Sequence, residues 1–212
     1  MGTLYAAIIL AGGSARRLGG QDKPAITVGG IPLVDRVRAA CAHAARVVVV
    51  GPERQGGPVA ALAAGLRLLD ADGSAAPQPQ AAAQAARQDP GHTAAAQAGT
   101  HPEGSGPGVG AVALLAADLP LLTTGALDAL AGALPDHDGA LYIDGQGRHQ
   151  LLCGMWWIEV LRERLAGVDP DGMPLRRLVA GLRIAELADP AEPWFDCDTP
   201  EQLAEAERRL RA

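Results

Sequence analysis

The sequence predicts an α/β fold in which a mostly parallel sheet has helices on both faces. Short apolar runs typical of buried strands alternate with segments in which apolar residues recur at helical spacing. This order of strand and helix is the pattern of a parallel sheet with right-handed crossovers. The 212 residues, of which 48% are hydrophobic, are enough to bury the core of one such domain, so we expect a single domain over residues 1–212.

Two strands and two helices are predicted before residue 71. The strands are apolar throughout, and Gly51-Pro52 ends the second of them. The first helix is indicated by apolar residues at helical spacing from Leu33 to Ala44, after a proline that is tolerated in a first turn. The predicted elements are a strand over 5–10, a helix over 33–44, a strand over 47–50 and a helix over about 58–69.

Residues 71–108 interrupt this order. They contain no Val, Ile, Leu, Met, Phe, Tyr, Trp or Cys and are dominated by Ala, Gln, Gly and Pro. Such a segment cannot bury a core. We interpret it as a low-complexity insertion that is disordered or loosely ordered.

Regular structure is predicted again from residue 109. The turn signal Asp144-Gly145-Gln146-Gly147 lies between two apolar runs and predicts a hairpin. Thr199 to Gln202 has the form of a capping box with proline at the first helical position. The expected elements are a strand over 109–117, a helix capped by Thr123 or Thr124, hairpin strands over 140–143 and 149–157, helices over 158–166 and 175–180, a strand over 183–187, and a final helix with Leu203, Ala206 and Leu210 inward.

The loop after the first predicted strand combines glycines with cations. Gly12 and Gly13 let the backbone bend tightly and approach a ligand, and Arg16, Arg17 and Lys23 follow in a glycine-rich segment. Backbone N–H groups and mobile positive charges can then surround one polyphosphate. The sequence therefore predicts a phosphate-binding loop, and the alternative is an ordinary strand-to-helix turn with solvated arginines.

This loop fits neither of two common glycine templates. The P-loop pattern G-x-x-x-x-G-K-[ST] fails at Leu18 and at Pro24, and the pattern G-x-G-x-x-G fails at Ser14. The sequence thus argues against a P-loop NTPase and against a dinucleotide-dependent oxidoreductase.

Carboxylates follow two of the predicted buried segments. Asp118 comes at the end of the strand over 109–117, where ligand sites of open parallel sheets gather. Asp196 and Asp198 precede the cap at Thr199, and alternation along an extended segment would direct both to one side and Cys197 to the other. Two aspartates with waters and phosphate oxygens form a plausible Mg²⁺ shell. The alternative for each is a turn or cap residue.

Composition limits the class of protein. The formal net charge of −6 does not favour nonspecific binding to nucleic acid. Cys41, Cys153 and Cys197 lie far apart without a C-x-x-C pair, which fits reduced cytosolic thiols. No apolar run reaches about 18 residues and no signal peptide is indicated, so we expect a cytoplasmic protein that does not bind a membrane.

Several motifs together resemble the molybdenum cofactor guanylyltransferases, the MobA family of the nucleotidyltransferase superfamily. The segment from Leu10 to Lys23 resembles the family pattern L-A-G-G-x-x-R-R-[ML]-G-G-x-D-K almost residue for residue. The other matching segments are Gly57 to Leu62 with G-P-L-A-G-L, Ala117 to Pro120 with A/C-D-x-P, Gly147 to Cys153 with G-x-x-Q-P-L on the acceptor side, and Asp196 to Leu203 with N-x-N-T-P-E-[DE]-L.

The resemblance implies a Rossmann-like, nucleotide-diphospho-sugar transferase-like fold and an activity. The activity is Mg²⁺-dependent transfer of GMP from GTP to molybdopterin with release of pyrophosphate. The implied roles are triphosphate and pyrophosphate binding with catalysis for Arg17 and Lys23, nucleotide binding for Leu10, Ala11, Gly12, Gly13, Lys23, Gly51 and Asp118, and catalysis and Mg²⁺ binding for Asp118 with Asp198 as the second ligand.

Some positions depart from the family pattern. Both asparagines of the carboxyl-terminal motif are Asp196 and Asp198 here, and Gly51 stands where a polar Asn is found in some members. The acidic residue that reads guanine is missing, with Glu53 as the substitute candidate. The alternatives are therefore a cytidylyl- or other nucleotidyltransferase with a different phosphorylated acceptor, and a nucleotide-binding protein without turnover.

Overall fold

Buried apolar strands form the centre of a six-stranded sheet. The structure is a computed structural model, and it describes residues 3–12, 26–52, 56–71 and 109–211. The expected insertion lies outside the described residues except for its first residue, Ala71. In chain order the elements are β1 (Tyr5–Leu10), β2 (Thr27–Val28), β3 (Ile31–Pro32), α1 (Leu33–Ala40), β4 (Arg46–Val50), α2 (Gly57–Ala71), β5 (Ala111–Ala116), α3 (Thr124–Ala133), β6 (Gly139–Ile143), β7 (His149–Trp157), α4 (Ile158–Leu165), α5 (Leu175–Leu178), β8 (Ile184–Leu187) and α6 (Pro200–Arg211).

The strand order places the carboxyl ends of three neighbouring parallel strands at one edge of the sheet. That order is β4-β1-β5-β7-β6-β8, and β7 pairs antiparallel with both of its neighbours while the remaining pairings are parallel. The carboxyl ends of β4, β1 and β5 therefore lie side by side. Because β7 runs the opposite way, its amino end, beginning at His149, lies at the same edge.

The two faces of the sheet are covered by different helices. Along β1, Ala7 and Ile9 pack into a core that includes residues of α1 and α3, whereas Ala6 and Ile8 pack into a core with α2, α4 and α5. Successive side chains of a strand point to opposite faces, which explains the division. The predicted mostly parallel sheet with helices on both faces is confirmed.

Most predicted elements are present, with shifted ends. The helix predicted over 33–44 is too long, because Cys41 ends it with φ −81° and ψ 24°. The chain turns there to enter β4, and the Ala45 amide already donates to the Tyr5 carbonyl at 2.8 Å. The predicted hairpin and Thr123 cap are present, and the Thr123 hydroxyl accepts a hydrogen bond from the Ala126 amide at 3.1 Å.

The final helix is capped as predicted but differs at its far end. The Thr199 amide donates to Gln202 Oε1 at 2.9 Å, and the Gln202 amide donates to Thr199 Oγ1 at 3.3 Å, which is the reciprocal capping box. Ala206 is fully buried, but the prediction that Leu210 faces inward is wrong, since it is 40% exposed. The last turn of α6 extends past the small core that buries Ala206.

A short hairpin, β2 and β3, was not predicted. Gly29 and Gly30, at its turn, have φ values of 59° and 77°, as tight hairpin turns require. Each strand has only two residues, too few to show alternation. Over the described ranges, no helix combines the length and the apolar character that crossing a bilayer demands.

Candidate functional site

A cavity of about 730 Å³ lies at the sheet edge where β1, β4 and β5 end. Gly12 follows β1, Gly51 follows β4 and Asp118 follows β5, and all three line the cavity. The predicted nucleotide-binding residues Leu10 and Ala11 line it as well. Five of the residues that the motifs and the family resemblance predict for the nucleotide site thus line one cavity.

Backbone hydrogen bonds hold these strand ends in register. The Ala11 amide donates to the Val50 carbonyl at 2.8 Å, and the Ala117 amide donates to the Leu10 carbonyl at 3.1 Å. A Cβ added at Gly12 would approach only the Pro52 Cα, at 3.9 Å, which is ordinary contact. Packing within the described protein therefore does not require glycine at position 12.

The amino end of α2 forms one wall of the cavity. Gly57, Pro58 and Ala61 line it. The approach to the helix uses left-handed backbone, with φ 99° at Gly56 and 84° at Gly57, and the Gly56 carbonyl accepts a hydrogen bond from the Gly172 amide at 2.8 Å. First-turn N–H groups have no partner within a helix and attract anions. This wall is therefore suited to a phosphate or a base edge.

Aspartates from two separate segments meet near the carboxyl end of β5. The Cys197 amide donates to the Asp118 carbonyl at 3.2 Å. Asp196 lines the cavity with Asp118, whereas Asp198 is not among the described residues that line it. Cys197, which lies between Asp196 and Asp198 in the sequence, is fully buried, and of the two aspartates that were predicted to share one side only Asp196 lines the cavity.

The Gln202 side chain fixes the backbone around these aspartates. Its Oε1 accepts hydrogen bonds from the Asp198 and Thr199 amides at 2.8 and 2.9 Å, and its Nε2 lies 3.5 Å from Asp196 Oδ1. The helix cap thus also orients the candidate metal ligands. Within residues 3–12, 26–52, 56–71 and 109–211, no three or more His, Cys, Asp or Glu side chains form a metal-binding group. A metal at this edge would take two carboxylates from the described chain.

The first residues of β7 form the opposite wall. His149, Gln150 and Cys153 line the cavity, and His149 Nε2 lies 2.7 Å from Glu186 Oε1 on β8. Burial raises the pKa of the Cys153 thiol well above its ordinary value, so it remains protonated at neutral pH. Cys153 is thus an apolar wall residue and not a nucleophile.

Sequence reasoning missed one residue that lines the cavity, Trp194, and one that contacts a lining residue, Glu186. Trp194 lines the cavity, and its ring packs on that of Tyr142 with centroids 5.3 Å apart. Glu186, on β8, contacts His149 on β7 across the intervening strand β6. An aromatic residue two positions before Asp196 was the available signal for Trp194, but the pairing of His149 with Glu186 depends on the β6–β8 register.

The cationic part of the predicted site lies outside the described residues. It comprises Gly13, Arg16, Arg17 and Lys23, and Glu53 is outside them too. Their roles remain predictions.

Comparison with known proteins gives the same family along most of the chain. Residues 7–191 match the family model described as the MobA-like NTP transferase domain. A molybdenum cofactor guanylyltransferase from Rhodobacter capsulatus is 32% identical over 209 residues, covering 97% of this chain and 96% of that protein. One of the same description from Nitrobacter hamburgensis is 30% identical over 207 residues, with 95% and 92% covered.

Solved structures share the fold. The molybdopterin-guanine dinucleotide biosynthesis protein A from Archaeoglobus fulgidus superposes with a TM-score of 0.59 at 15% identity, covering 97% of this chain and 98% of that one. The 2-C-methyl-D-erythritol 4-phosphate cytidylyltransferase from Thermus thermophilus gives 0.60 at 18% identity, with 99% and 100% covered. The family model and the two relatives of 30% and 32% identity show that the chain belongs to the MobA-like NTP transferase family, which confirms the prediction of a nucleotidyltransferase.

Proposed function

We propose that the protein transfers GMP from GTP to the phosphate monoester of molybdopterin. An oxygen of the acceptor phosphate attacks the α-phosphorus of GTP, the bond between that phosphorus and the bridging oxygen breaks, and pyrophosphate leaves with the electron pair. The acceptor oxygen is already anionic, so no general base is required. The enzyme must align the two phosphates and neutralise their charge.

The observation that carries this proposal is the shared cavity of Gly12, Gly51, Asp118 and Asp196. Its glycine-lined end suits the nucleotide, because backbone there can approach phosphates without side-chain hindrance. The amino end of α2 faces the same space and favours negative charge. We assign Arg17 and Lys23 to binding of the triphosphate, and the backbone of Leu10, Ala11, Gly12 and Gly13 to binding of the base and phosphates.

The carboxylates fit Mg²⁺. Hard oxygen donors suit this ion, and it commonly takes one or two carboxylates and completes its shell with waters and phosphate oxygens. Asp118 and Asp196 are the best-placed pair because both line the cavity, and Asp198, two residues further on, is the alternative second ligand. Bound Mg²⁺ would neutralise charge on the phosphates and on the leaving pyrophosphate.

The cysteines support a cytoplasmic location for the protein. Cys41, Cys153 and Cys197 are all buried and free of disulfides. Free buried thiols are typical of proteins in reducing compartments. We assign the protein to the cytoplasm.

The test is pyrophosphate release by the purified protein with Mg²⁺, molybdopterin and each of GTP, CTP, ATP and UTP in turn. We expect release with GTP and formation of the guanine dinucleotide. Release with CTP alone would mean that the protein is a cytidylyltransferase. Tight GTP binding without release for any nucleotide would make it a binding protein, and both results contradict the proposal.

A further inference from the structure

The segment from Trp194 to Cys197 presents alternate residues to different surroundings. Trp194 and Asp196 line the cavity. Phe195 and Cys197 instead belong to the small core that contains Val28 and Ala206. This alternation has a period of two, so the two cavity-facing side chains come from one side of the backbone. Trp194 is therefore adjacent to the aspartate that we assign to the metal.

The position of the Trp194 ring is restricted by a neighbouring aromatic ring. The Tyr142 ring packs against it at 5.3 Å with an interplanar angle of 31°, and the Tyr142 hydroxyl donates to the Ala126 carbonyl at 2.9 Å. The next residue, Phe195, has a contact of its own, because Arg209 lies 4.8 Å from the centroid of its ring and also donates a hydrogen bond to Glu192 at 2.5 Å. The Tyr142 ring therefore restricts where the indole can move, and the Arg209 contact restricts the adjacent residue Phe195.

The sheet order separates Trp194 from the nucleotide end. Gly51 and Gly12 follow β4 and β1, Asp118 follows the next strand, and Tyr142 lies on β6, two strands beyond β5. Neighbouring strands are about 4.8 Å apart, and β6 is three strands from β1, so Tyr142 is on the order of 14 Å from β1. Asp118 lies between the two ends. The reaction centre would then have the nucleotide on one side and Trp194 on the other.

We propose that the Trp194 indole is the stacking surface for the fused heteroaromatic ring of the acceptor. A planar ring with a phosphate arm would lie against Trp194 and extend the phosphate towards Asp118 and Asp196. Aromatic stacking favours flat fused rings over aliphatic acceptors of equal charge. This proposal rests on the proposed function and adds the residue that selects the acceptor ring.

The experiment measures binding at equilibrium, so it does not depend on turnover. Neopterin 3′-phosphate is the probe, glycerol 3-phosphate is the acceptor without a ring, and α,β-methylene-GTP with Mg²⁺ occupies the nucleotide end. The variants are Trp194→Leu, Trp194→Phe and, as matched control, Trp157→Leu. Trp157 ends β7 at the opposite edge of the sheet, about 26 Å from His149.

We expect Trp194→Leu to raise the Kd of the pterin phosphate about tenfold, and Trp194→Phe to restore most of the affinity. The Kd values of glycerol 3-phosphate and of the GTP analogue stay unchanged in both variants, and Trp157→Leu binds every ligand as the wild type does. Thermal unfolding of each variant confirms that it is folded.

Three results would overturn the inference. The first is an equal Kd of the pterin phosphate for the wild type and Trp194→Leu. The second is a loss of GTP-analogue affinity in Trp194→Leu as large as its loss of pterin affinity. The third is no binding of the pterin phosphate by the wild type. Selective pterin binding that needs Trp194, without pyrophosphate release, would leave this inference standing while the proposed function failed.

Discussion

The Cys197 amide donates a hydrogen bond to the Asp118 carbonyl at 3.2 Å, and this contact joins two segments 79 residues apart in sequence. Asp118 follows β5 and lines the cavity. Cys197 packs in the small core that contains Ala206 of α6, and so fixes the segment that precedes this helix. Because the side chain of Cys197 is fully buried, its backbone is fixed, and the neighbouring Asp196 is fixed with it. The candidate metal ligands are thus preorganised by a backbone contact that needs no metal.

We expect Asp118→Asn to lower the rate of pyrophosphate release at least about 100-fold while the melting temperature stays nearly unchanged. The amide keeps the size of the side chain but removes the charge that a divalent cation requires. Asp136→Asn, on an exposed turn away from the cavity, is the control and retains activity. Unfolding of Asp118→Asn would contradict the metal role, because it would mean that the carboxylate stabilises the fold.

The second metal ligand is tested by comparing Asp196→Asn with Asp198→Asn. We expect the first to raise the Mg²⁺ concentration for half-maximal activity by about tenfold, because Asp196 lines the cavity, and the second to raise it less. A magnesium titration of pyrophosphate release measures both. If Asp198→Asn has the larger effect, the original sequence-based assignment of Asp198 is correct and the choice of Asp196 is wrong.

We expect Gly12→Ala to fold normally but to bind GTP about tenfold more weakly. The Cβ would meet only the Pro52 Cα at 3.9 Å, so the described protein can accept it. A ligand that approaches the Gly12 backbone would lose that space. Equilibrium binding of GTP and urea denaturation separate the two effects. Unchanged GTP affinity would remove Gly12 from the nucleotide site.

The sequence predicted site residues best where a local pattern requires one residue type, such as glycine in a tight loop or aspartate at a strand end. Asp118 was found because ligand sites gather at the carboxyl ends of parallel strands, Gly12 because it belongs to a glycine-rich loop, and Gly51 through the family resemblance. The structure brings all three to one cavity. Trp194, which lines the cavity, and Glu186, which contacts the lining residue His149, were missed because their positions depend on tertiary contacts, with Tyr142 and His149 respectively. Pairing of β8 with β6 determines the second contact, and no local pattern encodes that register.

The packing of α2 on β1 is tested by Gly65→Ala. An added Cβ would lie 2.7 Å from Ile8 Cγ2 and 2.9 Å from its Cδ1, and Ile8 is fully buried. Overpacking costs about 1–3 kcal/mol, which over most of that range outweighs the roughly 1 kcal/mol that alanine contributes in a helix. We expect Gly65→Ala to lower the free energy of unfolding in urea. Gly132→Ala, in α3 with open space around it, is the matched control and raises that free energy.

Stability at alkaline pH is expected to depend on Tyr5. Burial, followed by the nearby Asp128 and Cys41, raises its pKa from 10.0 to about 12, so the folded protein holds this proton after the unfolded chain has lost it. The native state then binds more protons between pH 10 and 12, and the free energy of unfolding falls as the pH rises through that window. Burial raises the pKa of Cys41 from 9.0 to about 12, which adds a decline that begins near pH 9.

The variant Tyr5→Phe isolates the tyrosine contribution. The Tyr5 hydroxyl is buried and has no hydrogen-bond partner among the described residues, so its removal also relieves the cost of an unpaired polar group. We expect Tyr5→Phe to be as stable as the wild type or more stable at pH 7, and to lose less stability between pH 10 and 12. Urea denaturation at pH 7, 9 and 11 measures both effects. Parallel pH curves for the two proteins would show that Tyr5 does not titrate abnormally, and the remaining alkaline decline would then belong to Cys41.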